Sequence, residues 1–360
     1  MLGMTGTTRR TLRFQRKNRS AGASRPRTVA PLHAPPRFTH RRRFTHRSAS
    51  HTRAASPLRM KSRDLTDLLL LAAIWGASYL FLRLAVPAFG PVALIEVRVA
   101  VAAAVLLPLL AWRGSLAELR AHAIPLLLVG TFNSAMPFVL LAYGLLHITT
   151  GVAAILNAMV PLWAALIGWA WLRDRLGWMQ WLGLLLGVLG VVVLVWGRVS
   201  LKPGSAAFEA TIAIAACLAG TVCYGLAAVL AKRLLTGVSA WATAAGSQVG
   251  ATLVLLPFAV LSWPAQMPGA MPWAAALALG VLCTAIAYLL YFRLIRRVGP
   301  VQASSVTFLL PVTASLWGVL LLGETVTAQM LGGGAIILAG TALSLGLVGP
   351  ARRNAPATVG

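Results

Sequence analysis

Acidic residues are almost missing from this chain: 7 Asp plus Glu stand against 32 Lys plus Arg in 360 residues, and only 11% of positions are charged. A soluble domain carries about 25% charge, so the composition excludes an ordinary soluble enzyme. Cysteine is equally scarce. Cys217, Cys223 and Cys283 lie in apolar runs with no CxxC and no histidine at ligand spacing, which argues against a disulfide framework or a zinc site. A phosphate-binding loop, a Ser/His/Asp arrangement and a metal-ligand cluster are also absent. The sequence therefore points to no enzyme, no metal and no cofactor.

What is present is unevenly divided. Fifteen basic residues fall within 1–59, a stretch of Arg, Ser, Pro, Thr and His without Asp or Glu. Such a segment cannot bury enough apolar surface to offset its ordering entropy and is expected to be disordered. An Arg-rich tail of this kind binds nucleic acid or anionic lipid, or resembles a transit peptide. The simpler reading takes Met60, just before the first apolar run, as the natural start and expects no nucleic-acid partner.

Ten apolar stretches follow, at about 67–86, 91–111, 123–145, 151–172, 177–196, 209–230, 240–262, 271–292, 300–322 and 327–348. Each is about 20 residues long, enough at 1.5 Å per residue for a hydrocarbon core of about 30 Å. With the N-terminus inside, inner connections hold eleven Lys or Arg, while outer ones hold only Arg198 and Lys202. This satisfies the positive-inside rule. Trp112, Trp169, Trp171, Trp178, Trp181 and Trp196 crowd helix ends and read as an aromatic belt at the lipid interface.

A shift of 150 positions aligns Gly130 with Gly280, Pro161 with Pro311, Asp174 with Glu324, Gly183 with Gly333 and Gly190 with Gly340. A shift of 149 aligns Gly76 with Gly225 and Pro108 with Pro257. The chain thus reads as two copies of a five-helix unit, at 60–200 and 208–348, followed by a cytoplasmic tail at 349–360. Five crossings invert the second copy. The expected fold is an all-α integral membrane protein of ten transmembrane helices in two inverted repeats, both termini cytoplasmic, working by alternating access around a midplane site.

The run Ala153-Ala154-Ile155-Leu156-Asn157-Ala158-Met159-Val160-Pro161-Leu162-Trp163, with Leu172-Arg173-Asp174-Arg175-Leu176 after it, resembles EamA-type members of the drug/metabolite transporter superfamily. So do Trp75-Gly76-Ala77-Ser78, Arg98 and Leu321-Leu322-Gly323-Glu324. One departure is Arg173-Asp174, where the family usually has Gly-Glu. The resemblance implies an inner-membrane carrier of small polar metabolites, often an exporter of amino acids or related compounds, with proton coupling as its mode. Alternatives are a non-transporting receptor or scaffold, and an uptake permease for a nucleotide-like or phosphorylated metabolite. The expected partners are the metabolite, a proton, membrane lipids and a second copy in a homodimer.

A proline removes the hydrogen bond to the carbonyl four residues earlier. Asn133 stands four before Pro137, Asn157 four before Pro161 and Thr307 four before Pro311. Helices three, four and nine each gain a polar patch, which either lines a cavity or glues helices together. Asn157, Asn133 and Thr307 are the resulting substrate-binding candidates, joined by Tyr143 and Tyr288. Asp174 and Glu324 sit at the starts of helices five and ten, where a carboxylate caps the helix. Arg98 lies about 10 Å below the outer end of helix two, deep enough that it must snorkel, pair or face a wet cavity. Glu96 points to nearly the opposite side of that helix, toward Arg83, and is the candidate coupling acid. Ala245 and Ser247 stand at the matching positions of the second copy, so the charge is expected to have no symmetric counterpart.

Overall fold

The structure, a computed structural model, describes residues 62–173, 176–196, 206–299 and 303–345. The tails at 1–59 and 349–360, and Asp174, lie outside the described residues. Among the described residues all regular structure is helical. Eight helices are long and apolar enough to cross a membrane: α1 Ser62–Phe89, α2 Pro91–Trp112, α3 Ala123–Gly144, α4 Thr150–Leu172, α5 Trp178–Val195, α6 Ala206–Leu234, α7 Ala240–Leu261 and α8 Ala270–Val298. Two shorter apolar helices, α9 Val306–Leu322 and α10 Ala328–Ser344, have 17 residues each. Local chemistry sets several starts. Pro91 opens α2 after Gly90, and the side chains of Thr149, Ser239 and Thr327 cap α4, α7 and α10.

The two halves pack as a two-fold relation requires. α2 lies against α7 and α5 against α10, while α1 packs on α8 and α9 just as α6 packs on α3 and α4. The α5/α10 seam shows the operator directly. A Cβ placed on Gly183 would sit 2.5 Å from the Gly340 carbonyl oxygen, and one on Gly340 would sit 2.6 Å from the Gly183 oxygen. Gly190 and Gly333 are matched likewise, at 2.9 Å in both directions. Because Gly183 corresponds to Gly333 and Gly190 to Gly340, this is a reciprocal contact between antiparallel helices. Small residues let the backbones touch, as membrane helices often do.

The breaks in α3 and α4 differ from a simple proline kink. In α4 the helix stops at Asn157 and restarts at Val160, with Pro161 in the new first turn. The Ala158 carbonyl is taken by the Thr341 hydroxyl of α10 at 2.9 Å. α3 keeps its course through a π-helical stretch, Thr131–Ala135, just before Pro137. The matching helix α8 has a π-helical stretch too, Val281–Ile286, although Ala287 replaces the proline there. Proline is therefore not what makes the π turn. Pro311 sits inside α9, where the Thr313 hydroxyl reaches the Ala72 carbonyl of α1 at 2.9 Å.

Two caps join the halves at their ends. Glu324 accepts from the Thr150 amide at 3.0 Å and from its hydroxyl at 2.7 Å, so it caps α4 rather than its own helix α10. Thr327 takes the α10 position instead, because its hydroxyl reaches Met330 N. On the short helix Leu116–Ala121, Glu118 accepts from the Ser239 amide and hydroxyl at the start of α7. Those hydrogen bonds hold its carboxyl below the usual range.

The Arg-for-Gly departure has a visible cost. Arg173 ends α4 at φ 56°, the left-handed region, where its repeat counterpart Gly323 ends α9 at φ 64°. An L side chain in that region loses about 1–2 kcal/mol. Arg173→Gly is expected to stabilise the fold by about 1 kcal/mol, read as a higher thermal midpoint in detergent. An unchanged or lower midpoint would show that the Arg173 side chain makes up the difference.

Candidate functional site

Arg98 is 4% exposed and its guanidinium stays in the interior rather than reaching along α2 to the helix end. Its Nε donates to the Thr284 hydroxyl of the α8 π turn at 3.0 Å, and Cζ stands 3.8 Å from the Phe138 ring centroid on α3. Tyr224, Cys283, Tyr288 and Tyr79 lie close enough to interact electrostatically with the guanidinium. Among the described residues no carboxylate is within ion-pair distance of it. A buried arginine held by a hydroxyl and a ring face keeps most of its donors for another acceptor.

A second polar pair mirrors the first. Gln248 of α7, fully buried, donates from Nε2 to the Ser134 hydroxyl of the α3 π turn at 2.9 Å. Ser134 and Thr284 correspond at the 150 shift, so each half presents a π-turn hydroxyl to a polar side chain from the second helix of the other. The charge of Arg98 stays confined to one half, and the polar contact it makes is matched in the other half by the neutral side chain of Gln248, the neighbour of the aligned Ser247. The π turns bring these hydroxyls inward without interrupting the helices.

Asn133 and Tyr288 join the cluster. The Asn133 amide donates to the Tyr288 hydroxyl at 3.3 Å and to Ser134 at 3.4 Å. Asn157 stands at the α4 break and interacts with Tyr79. Its Oδ1, like Oε1 of Gln248, is buried without a hydrogen-bond partner. One polar chain thus runs from Gln248 through Ser134, Asn133 and Tyr288 to Arg98, then through Tyr79 to Asn157. Unmatched acceptors lie at its two ends, on Gln248 and Asn157, and a spare cation lies between them.

Two candidates fall elsewhere. Tyr143 packs on His147 at the far end of α3, ring centroids 5.4 Å apart. Thr307 turns its hydroxyl onto the Ser304 carbonyl at 2.9 Å. Glu96 is 5% exposed with Oε2 unpartnered, and it does not pair with Arg83, which donates instead to the Leu145 carbonyl. A cavity of about 290 Å³ beside His147, Ile148, Leu194 and Ala210 holds none of the Arg98 cluster. The cluster residues not chosen from the sequence are Thr284, Ser134, Gln248, Tyr79, Tyr224 and Phe138. Gln248, an isolated amide in an apolar helix, and the two tyrosines, hydroxyls in apolar runs, carried a usable signal.

The EamA-like transporter family matches residues 67–196 and 211–346. The chain is 26% identical to a probable terminal-alkyne amino-acid exporter of Streptantibioticus cattleyicolor, over 78% of this chain and 93% of that protein. It is 29% identical to the uncharacterized inner membrane transporter YedA of Escherichia coli, over 77% of this chain and 89% of that protein. A solved crystal structure superposes with a TM-score of 0.56 at 21% identity, covering 80% of this chain and 98% of that one. At that identity the superposition speaks for the fold alone.

Proposed function

Because the chain belongs to the EamA-like transporter family, we propose that it is a secondary carrier that exports a small polar metabolite bearing a carboxylate or phosphate across the inner membrane. The observation that carries this reading is Arg98, a buried cation with no carboxylate partner among the described residues, set in a ring of phenols and hydroxyls. An anionic group of the substrate supplies the missing partner through charge-assisted hydrogen bonds. A free oxygen, on Asn157 or on Gln248, accepts from a donor on the same molecule, as the ammonium of an amino acid would provide. Export of an amino acid or related compound fits this polarity.

In this proposal all ten helices cross, with both termini cytoplasmic. The contacts between helix ends support it. Arg83 meets Leu145, His147 meets Glu209 and Glu324 meets Thr150 at one end. Asp67 meets Arg293, Glu118 meets Ser239 and Gln180 meets Ser344 at the other. Alternating crossings put the members of each set on one side. The second end is the basic one, with Arg113, Lys232 and Arg296 nearby in sequence. Glu96, a buried carboxyl with an unpartnered oxygen, is the group proposed to take the coupling proton.

The deciding experiment compares internal and released metabolites in cells with and without the protein, then follows counterflow of each affected compound in proteoliposomes. No difference for any anionic or zwitterionic compound would overturn the reading. In the same assay Asn157→Leu is expected to lower transport by at least about tenfold at normal insertion, since it deletes the unpartnered acceptor at the α4 break. Parent-like kinetics would leave Asn157 a structural residue.

A further inference from the structure

The inner end of α1 and the inner end of α8 are tied by buried acids. Asp64 and Asp67 in the opening turns of α1 are 7% and 8% exposed. Asp67 pairs with Arg293, while Arg297 stands 3.3 Å from Asp67 and 3.6 Å from Asp64. Both arginines are on the last turns of α8, so the cluster joins the first repeat to the second. It closes a seam that continues inward. Trp75 and Tyr291 meet next, ring centroids 5.3 Å apart, and below them the Cys283 thiol donates to the Ile74 carbonyl at 3.3 Å. Cys283 is 1% exposed and neighbours Arg98, so it marks the candidate site from the inside of this seam.

The opposite end of the molecule carries the counterpart. At the 150 shift Arg297 corresponds to His147, and Arg293 to Tyr143. His147 lies just beyond α3 and stands 3.4 Å from Glu209, the acid in the first turn of α6. α3 and α6 are the repeat equivalents of α8 and α1. Each end of the seam between repeats is therefore closed in a similar way, by a residue from the end of the third helix of one half against an acid near the start of the first helix of the other. The constructions differ in strength. The inner one joins two acids to two arginines with the acids shielded from solvent. The outer one is a single imidazole–carboxylate contact with Glu209 half exposed, beside the cavity of about 290 Å³.

We infer that these two end contacts are the alternating latches of the transport pathway, with Asp64, Asp67, Arg293 and Arg297 holding the cytoplasmic mouth shut. This rests on the carrier reading above, in which both mouths lead to one central site. The inequality of the latches biases the protein with its inner mouth closed, and opening that mouth costs the inner ion pairs. Loss of the inner latch shifts the population toward the inward-open form. It therefore exposes the site to the cytoplasm and closes it to the outside at the same time.

The test uses the full chain with Cys217→Ala and Cys223→Ala, leaving Cys283 as the reporter, labelled by a membrane-impermeant maleimide. Inside-out vesicles read access from the cytoplasm and right-side-out vesicles read access from outside. The parent is expected to label slowly from the cytoplasm. Arg293→Gln with Arg297→Gln should label about tenfold faster from that side and more slowly from outside. Asp67→Asn alone, which leaves both arginines in place, should move both rates the same way by a smaller factor and serves where the double variant folds poorly. Faster labelling from both sides would mean loosened packing, and unchanged rates would mean a static tether. Either result overturns the latch. Labelling needs no substrate, so a failed search for a transported metabolite leaves this result standing. Retained transport without the reciprocal shift removes the latch and spares the carrier.

Discussion

Arg98→Gln is expected to lower transport by about 30- to 150-fold while yield and insertion stay normal, because charge-assisted hydrogen bonds are worth about 2–3 kcal/mol. The fold itself should lose little. Among the described residues no carboxylate pairs with Arg98 to be stranded by its removal, and glutamine still reaches for the Thr284 hydroxyl. A buried charge without a carboxylate partner is itself costly to the fold, which offsets what its deletion removes. Arg98→Lys separates charge from shape: it keeps the cation but loses the planar fork and the stacking on Phe138. Lysine should therefore recover only part of the loss. Counterflow in proteoliposomes and thermal midpoints in detergent give both halves of the answer. Parent-like transport by Arg98→Gln would end the anion-binding role.

The place of most helices was legible because apolar runs and their boundary residues leave a strong trace, although α9 and α10, at 17 residues, are shorter than the runs of about 20. Pro91 opens α2 where the apolar run begins, and the run at about 151–172 is α4 within one residue. The interior of those helices was less open to reading. A π turn inserts one residue without changing composition, so nothing in Val281–Ile286 announces it. Pro137 hinted at the matching turn in α3 but suggested the wrong cause. Glu324 was read as a cap from its position in the chain, and it is one. The helix it caps lies 174 residues away in sequence, where only packing could place it.

The site divides along the same line. Asn133, Tyr288 and Arg98 were visible because polar groups in apolar helices are rare, and the structure draws them together. Thr284 and Ser134 were not, since a hydroxyl in a membrane helix most often bonds its own backbone. Thr211 and Thr252 do so here. The counterpart of Arg98 was missed through register. The 149 shift points to Ser247, but the side chain that meets the other half's π turn belongs to Gln248. Alignment finds equivalent backbones; it does not say which neighbouring side chain does the equivalent work.

Gly333→Leu is expected to abolish the folded protein, while Gly332→Leu one position earlier leaves it unchanged. A Cβ on Gly333 would lie 2.8 Å from the Leu194 Cβ and 2.9 Å from the Gly190 carbonyl oxygen, both fixed by α5. A Cβ on Gly332 meets nothing within 4 Å, and that residue is exposed on the outer face of α10. Overpacking a tight interface costs about 1–3 kcal/mol where side chains can shift. Here backbone blocks the way, so the helices must separate. The loss also spreads beyond one contact, because the reciprocal geometry brings Gly183 against Gly340 along the same seam. Prying α5 from α10 at one point opens the matched point. Size-exclusion profiles and thermal midpoints of the two variants, purified in parallel, decide it. A monodisperse Gly333→Leu protein with a parent-like midpoint would mean that the α5/α10 seam is looser than the glycine contacts imply.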